Sequence, residues 1–166
     1  MSATNLVADE QHLFDVISSS RFLAMEGLGN EVPFFIYPYS PTDSLEVVNV
    51  QHRLTSKLRL KGITVLEINL YDLSIQILKD RGIWQQILDA ERALDKHDFR
   101  EQLQGLLDPG DQLKDAVATR LASADYDVLF LTGVGEVFPY IRSHNVLNNL
   151  QSVSKERPML LFFPGD

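Results

Sequence analysis

At 166 residues the chain is long enough for one domain with a buried core of its own. An apolar fraction of 45% excludes a disordered chain, and a net charge of −8 argues against a broad grip on nucleic-acid phosphates. With no cysteine, disulfides, thiol nucleophiles and thiolate metal sites are excluded as well.

Met1–Gln11 carries no basic segment followed by an apolar run, and no apolar stretch approaches the ~20 residues that span a bilayer. The expectation is a cytoplasmic protein. Leu13, Phe14, Ile17 and Ala24 recur at helical spacing and predict a first helix over Asp9–Met25, ended by Gly27. Val32–Tyr39 is apolar at every alternate position, as in a strand covered on both faces, with Pro33 and Pro38 near its ends. Thr42–Asp43–Ser44 opens a second helix, and Asp43 and Glu46 have the spacing of a capping box. Val47, Val50, Leu54 and Leu58 form its buried stripe. The cations Arg53, Lys57, Arg59 and Lys61 crowd its last turns, where they oppose the helix dipole, and an acidic partner or a phosphate is the alternative reading.

Ile63–Leu70 is an alternating, β-branched second strand that would form a right-handed βαβ unit with the first if the two share a sheet. Helical patterns follow over Leu73–Arg81, Trp84–Leu94 and Phe99–Leu107, then a break at Asp108–Asp111 and an amphipathic helix through Leu113, Ala116, Val117, Leu121 and Ala124. Residues 84–107 read as a helical insertion or cap on the sheet. Val128–Thr132 is a third strand and Met159–Phe163 a fourth. The expected architecture is a three-layer α/β domain over residues 1–166, with a mostly parallel sheet of about four strands and helices on both faces. An end so soon after a buried strand suggests a shortened version of a longer chain.

Between the last two strands lies the most informative segment. A strand runs into the turn Gly133–Val134–Gly135–Glu136, which opens a helix carrying Arg142, Ser143, His144, Asn145, Asn148 and Asn149. Open α/β sheets build sites at such strand C-terminal ends. Gly133, Gly135 and Glu136 could aim N–H groups and a carboxylate at a ligand, or simply shape a tight turn. Arg142, His144, Asn145 and Asn149 are candidates for holding a ligand or partner; asparagines are poor helix formers, and several so close together suggest specific hydrogen bonds.

No catalytic motif accompanies them. No glycine is followed by lysine as in a P-loop, and the turn Pro38–Thr42 after the first strand has two prolines and no lysine. There is no nucleophile elbow, and His12, His52 and His97 lack ligand spacing. Glu67 and Asn69 alternate onto one face of the second strand, with Asp72 just beyond. With Glu136 they could form a carboxylate cluster for a divalent cation, although an edge position for Glu67 is the simpler account.

The words GLGNEVPFFIYPYSP (27–41), LTGVGEVFPYIRSHNVLNNLQ (131–151) and LLFFPG (160–165) resemble the BrxB family of BREX phage-defence systems. The likeness runs from FLAMEGLG (22–29) onward, and the middle block is its specific part. The resemblance implies a core subunit of a multi-protein system that marks self DNA by methylation and restricts unmarked phage DNA. It supplies no catalytic residues, metal or cofactor to carry over. It implies a non-catalytic adaptor that meets other BREX subunits, PglZ (an alkaline-phosphatase-like protein) first, without direct nucleic-acid or membrane contact; a homo-oligomer is compatible with it. Two alternatives stand beside it: a degenerate nucleotide-binding domain, and a metal-dependent hydrolase or nuclease using Glu67, Asp72, Glu136 and His144.

Overall fold

The computed structural model describes residues 3–26, 34–106, 112–137, 150 and 156–165. Its centre is a four-stranded, wholly parallel sheet in the order β1-β4-β3-β2, made of β1 (Phe34–Tyr39), β2 (Val65–Asn69), β3 (Val128–Thr132) and β4 (Met159–Pro164). The expected three-layer α/β arrangement is the one observed. Side chains alternate across a strand, and in β3 and β4 both sets are apolar. Leu129, Leu131, Met159 and Leu161 enter one core, while Val128, Phe130, Leu160 and Phe162 enter the other. The first core takes in α4 (Leu70–Asp80), α5 (Trp84–Ala93), α6 (Lys96–Leu106), α7 (Gln112–Ser123) and α8 (Val134–Val137). The second is covered by α1 (Ala3–Ile17), α2 (Ser20–Leu23) and α3 (Ser44–Leu60). Phe130 and Phe162 meet edge-on at 5.3 Å, and Tyr37 reaches Phe162 in the same manner at 5.9 Å.

Several expectations change against this frame. β1 and β2 do share a sheet, but at opposite edges, so α3 passes over both central strands between them. β1 is covered only in part on the face toward the first core: Phe34 packs there, but Ile36 is 49% exposed. The single helix expected over Asp9–Met25 is two, and the serines between them explain the break. Ser19 leaves helical geometry and its hydroxyl accepts from the Phe22 N–H at 3.2 Å, capping α2. Met25, at φ +56°, ends that turn before Gly27, which lies outside the described residues. Asp43 precedes α3 but makes no side-chain cap, because Pro41–Asp43 forms a 3-10 turn ahead of the helix, so the capping box is absent. α4 starts earlier than its apolar periodicity indicates, at Leu70, because Asn69 caps it.

The helical layer over α1 and α3 is tied by charge. Glu10 lies on the buried stripe of α1 with Leu6 and Ile17, and is itself 5% exposed. Arg53 donates to it through Nε and Nη2 (3.0–3.2 Å), and Lys57 Nζ at 2.9 Å. Asp9, the next residue back, accepts from the Tyr37 hydroxyl at 2.8 Å and so fixes α1 to β1. The acidic partner of the basic cluster is thus within the chain. Lys61 lies over the Phe14 ring at 5.5 Å.

Burial alone would push the Glu10 carboxyl up, but the bonds from Arg53 and Lys57 outweigh it and hold it below the usual carboxylate range. Burial, and then the bond to Asp9, push the Tyr37 phenol above its ordinary value, so it remains a donor. Because the folded-state value of Glu10 is depressed, its stabilising contribution is complete above the unfolded value of about 4.3 and disappears as pH falls through the folded value. Glu10→Gln should destabilise the fold by about 1–2 kcal/mol at pH 7, a modest figure because both cations are half exposed. Chemical denaturation of both proteins across pH is expected to show that gap constant between pH 7 and about 5 and narrowing below about 4. A gap that widens on acidification would contradict the assignment.

Candidate functional site

At the C-terminal edge of the sheet four strand ends come together: Tyr39 and Ser40, Asn69, Thr132 and Gly133, Pro164 and Gly165. β1 sends its chain to α3 on one face. β2 and β3 send theirs to α4 and α8 on the other. Such a reversal is where doubly wound sheets open a crevice.

Here much of the polar chemistry is turned inward. Asn69 Oδ1 accepts the Asp72 N–H at 3.1 Å, closing the first turn of α4. Gly133 leaves β3 at φ +75°, a conformation that disfavours any side chain. A Cβ placed there would overlap the Asn69 amide and stand 3.1 Å from the Tyr71 backbone nitrogen. The strand-to-helix turn therefore needs glycine for two independent reasons. Gly135 sits against Pro164 of β4: a Cβ there would lie 3.0 Å from the proline ring. Thr132, buried, donates to Glu67 Oε1 at 2.9 Å across the β2–β3 pair. The Gly165 N–H donates to the Tyr39 carbonyl at 2.9 Å, continuing the β1–β4 ladder beyond β4. Ser40 and Thr42 hydroxyls pair at 2.8 Å in the turn after β1.

Of the sequence candidates, Gly133 and Gly135 are thus placed in one turn with defined neighbours. Glu136 belongs to α8, its side chain outside the described residues; Arg142, His144, Asn145 and Asn149 lie wholly outside them. Glu67 is an exposed residue of an edge strand, and its described partner is a threonine. Among the described residues, neither Glu67 nor Asp72 joins a group of three potential metal ligands. The group that does form, His97, Asp98 and Glu101, lies exposed on α6. Two residues that organise the structure escaped sequence reasoning. Asn69 carries the N-cap signal three residues before Asp72, but the alternating pattern of Ile63–Leu70 places it in a strand beside Glu67. Glu10 interrupts an apolar helical stripe, a position where a charge needs a partner.

Gly133→Ala is expected to cost about 1–3 kcal/mol, from backbone strain plus displacement of Asn69. Gly105→Ala, near the end of α6 with open space around its Cα, should instead stabilise by up to about 1 kcal/mol. Thermal or denaturant melts of the two variants distinguish a turn that requires glycine from a helix that merely tolerates it. Equal effects would show that the Gly133 turn has room to adjust.

Comparison with known proteins agrees with this chain's signature words. The family described as BREX protein BrxB matches residues 66–166. A BREX protein BrxB of Bacillus cereus (strain H3081.97) is 35% identical over 157 residues, covering 90% of this chain and 79% of the relative. Another, from Escherichia coli O9:H4 (strain HS), is 30% identical over 149 residues, covering 90% of this chain and 74% of the relative. No solved structure matches the chain. On this similarity, extending over most of its length, the chain belongs to the BrxB family of BREX proteins.

Proposed function

We propose that this chain is a non-catalytic adaptor of a BREX phage-defence complex, acting in the cytoplasm through protein–protein contacts, with PglZ as its direct partner. Membership of the BrxB family carries the reading. The C-terminal edge supports it. Its cap, its buried hydroxyl and its glycine turn are engaged by neighbouring residues, as a turn built for shape would be. The net charge of −8 suits a subunit that leaves DNA to its partners. No helix among the described residues is long and apolar enough to cross a membrane. Arg142, His144, Asn145 and Asn149 are the proposed contact residues, because they follow the Gly133 turn in the block most particular to the family.

The reversal at the sheet edge favours one other reading, a degenerate nucleotide site. Against it stand the two prolines of the turn after β1, which remove N–H donors, and the Asn69 side chain occupying the space beside Gly133.

Co-expression with the other BREX subunits and affinity capture of this chain tests the adaptor reading. PglZ is expected to be retained, and the combined change of Arg142, His144, Asn145 and Asn149 to alanine should weaken retention at least tenfold, ~1.4 kcal/mol. Circular dichroism confirms that the variant is folded. A chain recovered alone, with every subunit present, would overturn the proposal.

A further inference from the structure

β1 carries a feature that the adaptor reading does not use. It is an edge strand, and its backbone alternates between the neighbour and the outside. The Gly165 N–H reaches the Tyr39 carbonyl, so Tyr39, Tyr37 and Phe35 turn their backbone groups to β4, and Phe34, Ile36 and Pro38 turn theirs outward. Pro38 stands in the outward phase, where a missing N–H breaks no ladder bond. Phe34 and Ile36 retain both outward groups, and among the described residues nothing pairs with them. Ile36 is half exposed beside this open edge. On the opposite face of the strand, Phe35 packs against Phe22 with the rings tilted and 4.9 Å apart, and joins Val16, Ser19 and Met25 in an apolar groove of about 260 Å³. Arg21 and Glu26 also line that groove.

We propose that the outer edge of β1 pairs with the same edge of a second copy, antiparallel about a two-fold axis at Phe35. Free backbone donors and acceptors on an edge are complemented by another strand. In this register Phe34 of each copy faces Ile36 of the other, so both residues' outward groups are used. Pro38 falls outside the pair and limits its length. Phe35 meets its own symmetry mate at a position without hydrogen bonds, where side chains approach most closely, and the two grooves abut. A two-fold interface requires one patch to act as both halves. A groove bearing one cation and one anion at its lining meets that requirement, because Arg21 of each copy can oppose Glu26 of the other. The result is one continuous sheet across two copies.

Sedimentation equilibrium of the chain alone, from micromolar to millimolar concentration, tests this without any BREX partner. The expected mass rises from one copy to two. Ile36→Pro removes one outward N–H in the phase that already accepts Pro38, and should weaken association at least tenfold while circular dichroism stays unchanged. Ile36→Lys is the second variant if proline disturbs the strand, with the same expected loss. Leu60→Lys alters an exposed apolar residue at the far end of α3, next to β2 at the opposite edge of the sheet, and should leave association intact. A single copy at millimolar concentration overturns the proposal, as does a dimer indifferent to both Ile36 variants.

Discussion

β3 and β4 lie side by side in the middle of the sheet, and their side chains are buried on both faces. That single constraint organises the rest. Strands apolar on both sides need a helical layer on each, and the chain supplies the layers by alternating the direction of its crossovers. α3 carries it over one face from β1 to the far edge at β2. α4 to α7 then bring it back on the other face to β3. β1 and β2 are left as edges, and their sequences reflect it through a half-exposed isoleucine, a proline and a glutamate.

The two helical layers are secured differently. The layer of α4, α5, α6 and α7 is held chiefly by one apolar cluster of Leu73, Leu78, Ile87, Leu103, Leu113 and Val117, with an exposed bond from Arg81 to Gln112 between the end of α4 and α7. The α1–α3 layer adds polar ties, Glu10 to Arg53 and Lys57, and Asp9 to Tyr37. Hydrophobic burial is not directional, whereas the bond from Arg53 to a buried carboxylate has a defined geometry. The pairs set the position of α1 along α3 where apolar contacts alone would allow sliding.

The central strands were legible because continuous apolar runs bounded by turns have few other readings. The helices after β2 were legible from their 3.6-residue period. Edge status was legible for β2, where Glu67 marked it, but not for β1. Val32–Tyr39 is as apolar as a central strand, and what makes β1 an edge is the long-range pairing that places β4 on one side of it only, which local pattern does not encode. The capping box at Asp43 failed because Pro41 imposed a 3-10 turn just ahead of α3, while the cap at Asn69 is also the last residue of β2, so the strand pattern masked it. At the C-terminal edge, the glycine turn was visible in the sequence. Its partners were not, since Asn69 and Pro164 are distant in the chain and meet Gly133 and Gly135 only through the sheet.

Native-state amide hydrogen exchange, followed residue by residue, tests the primacy of the central pair most directly. The amides of β3 and β4 that bond within the sheet should exchange only through global unfolding, with the same free energy as denaturant melts give. Those of α5 and α6 should exchange through smaller, local openings, because few of their residues reach the core. Comparable protection in α5, α6 and the central strands, or faster exchange in β3 than in β2, would contradict a fold organised around β3 and β4.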